Sequence, residues 1–143
     1  AGHAFLGASR QDPGYQNRIA CVQNYSAVTA ACMMVKKSVY TEVGGMTEAY
    51  RVAFNDIDFC LKVREKGYLI VYTPRAEFYH YESKSRGSDN TVDKMIRYQE
   101  EIQMFTDQWH SVIQQGDPYY NANLSLDRKD FSIIYMKKSS QID

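Results

Sequence analysis

The chain has 143 residues, of which 44% are hydrophobic, so it is long enough for one domain with one ordinary core. Its 17 basic residues equal its 17 acidic residues, and this zero net charge disfavours nucleic acid as a main partner. The sequence contains no apolar run of about 20 residues, as a membrane span needs, and we expect no signal peptide. The three cysteines lack metal-site spacing, and two lie in apolar runs typical of reduced, buried thiols. We therefore expect a cytoplasmic protein.

Residues 1–27 are rich in glycine and polar residues, so they predict a loop-rich segment, like a loop cut from a longer chain. The apolar, partly β-branched run from Val28 to Lys36 predicts a buried strand. A short helix should follow, with Ser38 as its cap and the Gly44-Gly45 pair as its stop.

The stretch "NDIDFCLKVREKG" predicts the next helix, because Ile57, Cys60 and Leu61 have helical spacing and Gly67 follows the last basic residues. Residues 68–74 and 76–82 then predict two strands that are separated at Pro74. Mixed strands and helices indicate an α/β core within residues 28–87.

Residues 88–116 predict one long amphipathic helix. Apolar residues recur along it at alternating steps of three and four, namely Met95, Tyr98, Ile102, Phe105, Trp109 and Val112. Their common face must be covered by the same domain, by a partner helix or by another part of a longer chain. Residues 117–143 contain several turn formers and predict an irregular tail.

Asp56 and Asp58 open the second helix, and residue types alone leave their role undecided. If Asn55 is the N-cap, Asp58 is the third helical residue and can reach back as in a capping box, while Asp56 lies at the positive end of the helix dipole. The same D-x-D triplet is also the minimal spacing at which two carboxylates share a divalent cation, although such triplets often arise by chance.

The longer string from Asn24 to Gly87 resembles the second half of the catalytic domain of family-2 glycosyltransferases. It is similar to rhamnosyl- and galactofuranosyl-transferases, because "VGGMTEAY", "FNDIDFCLKVREKGY", "VYTP" and "YHYESKSRG" agree in order and spacing. This resemblance implies the C-terminal portion of a GT-A fold, with a mixed sheet, flanking helices and a long C-terminal helix. It also implies a parent enzyme that transfers a sugar with inversion from a nucleotide-diphosphate sugar to a hydroxyl of a carbohydrate or glycan acceptor.

The resemblance implies a role for particular residues. Asp56 matches the catalytic base, and His80 matches a ligand of the divalent cation, Mn²⁺ or Mg²⁺, on the donor diphosphate. The candidate acceptor- or donor-binding residues are Thr29, Ala30, Ala31, Asn55, Asp58, Ser83, Lys84, Ser85 and Arg86. A carboxylate can remove the acceptor proton, and a cation with polar donors can stabilise the leaving diphosphate.

Two other readings stay open. One is a non-catalytic carbohydrate-binding or assembly module, because the nucleotide-binding half and its own D-x-D motif lie upstream of the matched stretch. The other is a phosphotransfer enzyme or hydrolase with Asp56 and Asp58 as nucleophile and acid, although such acids follow a buried strand rather than open a helix. We expect the isolated fragment to be inactive, to form a homodimer through uncovered sheet edges, and to be cytoplasmic or peripheral at the inner face of the membrane.

Overall fold

A computed structural model of the protein describes residues 4–81, 92–126, 128 and 131–134. The chain divides into two compact units, one formed by Ala1–Cys21 with Tyr120–Asp143 and the other by Val22–Tyr119. The candidate site residues all belong to the larger unit.

The larger unit combines short helices with a two-stranded antiparallel sheet. Its elements in chain order are β1 (Gln23–Tyr25), α1 (Lys37–Glu42), α2 (Asn55–Glu65), β2 (Ile70–Tyr72), α3 (Val92–Gln108) and α4 (His110–Gln115). Gln23 pairs with Tyr72 and Tyr25 pairs with Ile70. This mixture of helices and sheet is compatible with the predicted α/β class.

The strand predicted from Val28 to Lys36 is wrong. This region instead contains a 3-10 turn, Ala30–Cys32, whose N-cap residue Thr29 accepts a hydrogen bond from Ala31 N at 3.3 Å. A capping hydroxyl offers the backbone a local partner that competes with sheet pairing. The sheet therefore uses the preceding residues of β1, and Met34 is 99% exposed.

The strand predicted within residues 68–74 is confirmed as β2, but the one predicted at residues 76–82 is not found in its described part, 76–81. Residues 76–81 have no ladder partner among the described residues. A strand needs a neighbour for its backbone N–H and C=O groups, and sequence pattern alone does not provide that neighbour.

The predicted stop of α1 is confirmed, and the predicted cap is wrong. Gly44 and Gly45 have φ of 77° and 68°, values that glycine adopts without steric strain. A Cβ on Gly45 would also lie 2.9 Å from the Tyr40 ring. Ser38, however, lies inside α1, because the helix begins at Lys37.

The apolar core of the larger unit forms where α1, α2 and β2 meet. Val39, Phe59 and Val63 are buried at its centre. Half-buried side chains complete the cluster, namely Met33, Val43, Met46 and Ile70. Phe59 and Val63 are one turn apart and therefore lie on the same face of α2. Of the three apolar residues whose spacing predicts this helix, Cys60 and Leu61 are buried and Ile57 is half-buried.

The carboxylate of Asp58 lies inside the same unit and is 0% exposed. Its Oδ2 accepts a hydrogen bond from Thr47 Oγ1 at 2.7 Å and lies 3.3 Å from Lys62 Nζ. Its Oδ1 accepts from Gln108 Nε2 at 2.8 Å and from Trp109 Nε1 at 3.0 Å. Asp58 therefore joins α2 to α3 and to the loop after α1, and its predicted capping role is wrong.

The long helix predicted over 88–116 is divided into α3 and α4 at Trp109, while residues 88–91 lie outside the described residues. Trp109 has φ of −107° and ψ of 21°, and its indole is buried against Asp58. The predicted apolar face is buried only at this end, because Met95 is 61% exposed and Tyr98 is 48% exposed. No helix in the described ranges is long and apolar enough to cross a membrane.

The smaller unit is organised around the Phe131 ring, which is buried. Phe5 stacks on it with ring centroids 4.7 Å apart, and Tyr15 and Tyr120 each lie 5.4 Å away. Leu124 is buried beside this cluster and forms an isolated antiparallel bridge with Ile133. Described residues near the two ends of the chain thus pack on one another, a contact that their irregular sequences do not reveal.

We predict that Asp58→Asn lowers the free energy of unfolding by about 3 kcal/mol or more, because an amide cannot accept from all four donors in a buried site. Asp107→Asn, on the exposed part of α3, is the control and should change stability by less than about 0.5 kcal/mol. Urea unfolding of both variants gives the comparison. A loss of only about 1 kcal/mol for Asp58→Asn, as for a missing helix cap, would contradict the buried role.

Candidate functional site

The Asp56 carboxylate lies in the first turn of α2 and is partly exposed. Its Oδ1 accepts a hydrogen bond from Ile57 N at 2.9 Å, and its Oδ2 accepts from Ala30 N at 3.2 Å. An ionised carboxylate has about four lone-pair sites, so each oxygen can accept a further proton or hydrogen bond.

The structure brings the predicted small-residue stretch next to Asp56. Ala30 donates its N–H to the carboxylate, and Thr29 shapes the turn through its bond to Ala31 N. Cys60 on α2 holds the preceding residue, since its Sγ lies 3.7 Å from Val28 O. Ala30 and Ala31 are exposed, and each of their side chains is a single methyl group.

The start of α2 differs by one residue from the prediction. Phe54, not Asn55, occupies the N-cap position, with φ of 65° in the left-handed region. Asn55 is the first helical residue, and its Oδ1 accepts from Asp56 N at 2.7 Å. A large side chain at positive φ is uncommon, so neighbouring contacts must hold this turn.

The two acids of the D-x-D triplet face different surroundings. Asp56 is accessible, whereas the fully buried Asp58 carboxylate contacts only protein donors. A ligand could contact Asp58 only if that network opened. The triplet is therefore not a pair of carboxylates that face one accessible cation.

His80 lies on the exposed segment after β2. No hydrogen bond or ion pair among the described residues joins it to Asp56, and no group of three or more His, Cys, Asp or Glu residues there could hold a metal ion. Ser83, Lys84, Ser85 and Arg86 lie outside the described residues. The metal and phosphate contacts implied for these five residues stay predictions.

Glu101 is a site-adjacent residue that sequence reasoning missed. It is the buried residue of α3, at 3% exposure, and its carboxylate accepts from Arg51 N and Ala53 N. The sequence did contain a signal of its burial, because Glu101 lies three residues after Tyr98 and four before Phe105, on the predicted apolar face of the helix. An acid on a predicted buried stripe needs a partner.

Burial distinguishes the thiols. Cys60 is buried, whereas Cys21 and Cys32 are exposed, so one of the two buried thiols predicted is found. Burial raises the pKa of the Cys60 thiol; the nearby Asp56 charge adds to this rise, and the Val28 carbonyl and Arg64 oppose it. Cys60 therefore stays protonated beside the candidate base.

Comparisons with known proteins show that the chain is similar to segments of longer proteins. No family model and no solved structure matches the chain. It is 47% identical over 132 residues to an uncharacterized protein of Sinorhizobium fredii and 29% identical over 115 residues to the O-antigen biosynthesis protein RfbC of Myxococcus xanthus. It is 34% identical over 62 residues to the N-acetylglucosaminyl-diphospho-decaprenol L-rhamnosyltransferase of Mycobacterium tuberculosis.

Two of these three matches cover most of the chain, and each of the three covers little of its relative. They span 92%, 76% and 43% of the chain, and 14%, 8% and 20% of the respective relatives. The chain is thus similar to one segment of a rhamnosyltransferase and to one segment of an O-antigen biosynthesis protein.

We predict that a thiol reagent at pH 8 modifies two thiols per native chain rapidly and the third only after unfolding. The slow thiol is Cys60, because it is buried and burial raises its pKa, so that both access of the reagent and thiolate formation are reduced. A Cys60→Ala variant is the control and should lose only the slow phase. Rapid reaction of all three thiols in the native protein would contradict the burial of Cys60.

Proposed function

We propose that the chain is the acceptor-side part of an inverting glycosyltransferase, with Asp56 as the general base. The observation that carries this proposal is the accessible Asp56 carboxylate, which is fixed by Ala30 N and Ile57 N beside a turn of small residues. The similarity to a rhamnosyltransferase supports a transferase. We also propose that the chain belongs to family 2 and forms the C-terminal portion of a GT-A fold. The motifs between Asn24 and Gly87 support both proposals.

The proposed reaction uses one protein base. Asp56 takes the proton of an acceptor hydroxyl as the hydroxyl oxygen attacks the anomeric carbon of the donor sugar. The bond from that carbon to the diphosphate oxygen breaks on the opposite face, and the diphosphate leaves with the electron pair. The two N–H contacts hold Asp56 in place without occupying all of its lone pairs, so the base is positioned before the acceptor arrives.

The proposed substrates are a nucleotide-diphosphate sugar and a carbohydrate or glycan acceptor, on the cytoplasmic side of the cell. The space beside Ala30 and Ala31 suits an acceptor sugar, because their side chains are single methyl groups. In contrast, a hydrolase or phosphotransfer mechanism with Asp58 as the acid is disfavoured, since that carboxylate is fully buried and bonded to four side chains.

His80 is proposed as a ligand of Mn²⁺ or Mg²⁺ on the donor diphosphate, an ion that would stabilise the leaving charge. The described residues do not fit a complete metal site by themselves. A cation at His80 would therefore need ligands from outside the described residues.

We predict that Asp56→Asn in the full-length protein lowers the rate of sugar transfer at least about 100-fold, the range that a general base supplies. Donor binding, measured by calorimetry, should stay within about twofold, because the asparagine amide oxygen can still accept one of the two N–H bonds. Turnover of nucleotide-sugar donors with isolated glycan acceptors gives the rate.

The control is Glu65→Gln, an exposed acid at the opposite end of α2, which should transfer at the wild-type rate. If Asp56→Asn keeps more than about a tenth of the wild-type turnover, Asp56 is not the base. Sugar binding by a wild-type protein that transfers nothing would instead favour the non-catalytic carbohydrate-binding module.

A second prediction concerns the cation. His80→Ala should raise the Mn²⁺ concentration for half-maximal transfer about tenfold or more, the effect typical of weakened metal coordination. His110→Ala is the control, because His110 is likewise exposed but lies at the start of α4. The same metal titration curve for His80→Ala and wild type would remove His80 from the site.

A further inference from the structure

The buried carboxylate of Glu101 accepts hydrogen bonds from the backbone that precedes α2. Its Oε1 accepts from Arg51 N at 3.2 Å and its Oε2 accepts from Ala53 N at 2.7 Å. Arg97 Nε lies 3.8 Å from Oε1. A buried carboxylate is stable only where such donors surround it, so this contact specifies where residues 51–53 lie against α3.

The same face of α3 makes further contacts with this loop. Phe54 stacks on Phe105 with ring centroids 4.8 Å apart and on Tyr98 at 6.1 Å. Gln108 Oε1 accepts a hydrogen bond from the buried Tyr50 hydroxyl at 2.9 Å. We call these four residues of α3, Tyr98, Glu101, Phe105 and Gln108, the docking face.

The loop held by the docking face determines where α2 begins. Phe54 has a positive φ, and its carbonyl accepts the Asp58 N–H at 2.8 Å as the first bond of the helix. A phenylalanine in this conformation persists only when surrounding contacts enforce it. Asp56 is two residues from Phe54, so a shift of the loop would move the carboxylate away from Ala30 N.

We propose that Glu101 is a positioning residue for Asp56, an inference that rests on the proposed function. Glu101 touches neither Asp56 nor the space beside it, and it acts through the Arg51 and Ala53 amides. Misplacement of a reacting group by about 1 Å can slow an enzyme about 100-fold. The docking face contains no group that reacts with the substrate. It affects the reaction because it holds the loop that determines where the Asp56 carboxylate lies.

The test substitutes Glu101→Gln in the full-length protein. A glutamine has one acceptor oxygen where two N–H groups need acceptors, so one amide loses its partner. We expect kcat for transfer to fall about tenfold or more while KM for donor and acceptor stays within about twofold. Hydrogen exchange at the Arg51 and Ala53 amides should accelerate about tenfold or more, with exchange in α1 unchanged. Glu100→Gln, the adjacent exposed acid on α3, should match wild type in all of these.

Phe105→Leu is the second variant, since it removes the stacking on Phe54 without a charge change, and it should shift kcat and loop exchange in the same direction. A wild-type kcat for Glu101→Gln, together with an inactive Asp56→Asn, would overturn the positioning role and leave the proposed function intact. Accelerated exchange spread over α1 as well would also overturn it, because the effect would then be general destabilisation. Transfer activity retained by Asp56→Asn would overturn the proposed function itself.

Discussion

The arrangement of the larger unit depends on the buried Asp58 carboxylate, which needs hydrogen-bond donors on all sides. A carboxylate without solvent is unfavourable unless donors surround it, and those donors come from three places: the loop after α1, α2 itself, and the junction of α3 with α4. Each contact has a preferred direction and length. The three regions can therefore combine in few arrangements, and Trp109 leaves helical geometry where its indole N–H reaches Asp58.

A second buried acid gives α3 a polar contact with the loop before α2. Glu101 binds two backbone amides there, while Met95, on the predicted apolar stripe, remains exposed. Apolar contacts between helices tolerate sliding and rotation more easily than directed hydrogen bonds to specific atoms. The register of α3 against residues 50–54 thus depends on Glu101 and Gln108 as well as on the stacked Phe54 and Phe105 rings.

Between these two anchored acids, Asp56 keeps an accessible carboxylate at the start of α2. Asp58 and Glu101 thus have structural roles, because they accept hydrogen bonds from side chains and from backbone amides. Asp56 is accessible to a substrate. This division is what a proposed general base needs, because a base must be both fixed in position and open on one side. The similarity to a rhamnosyltransferase segment and to an O-antigen biosynthesis protein gives that chemistry its proposed substrate class.

The sequence by itself determined the features that depend on neighbouring residues. It determined helix α2 through its apolar spacing, the end of α1 through Gly44 and Gly45, and strand β2 through its β-branched and aromatic residues, because these signals act within a few residues. Only the tertiary structure decided which acids are buried, since burial depends on what distant segments bring into contact. Asp58 and Asp56 have nearly the same local sequence, yet one meets Trp109 and the other meets Ala30. The strand predicted from Val28 to Lys36 likewise depended on a distant partner strand. The backbone there instead forms the 3-10 turn at Ala30–Cys32, in which Thr29 supplies a local hydrogen-bond partner.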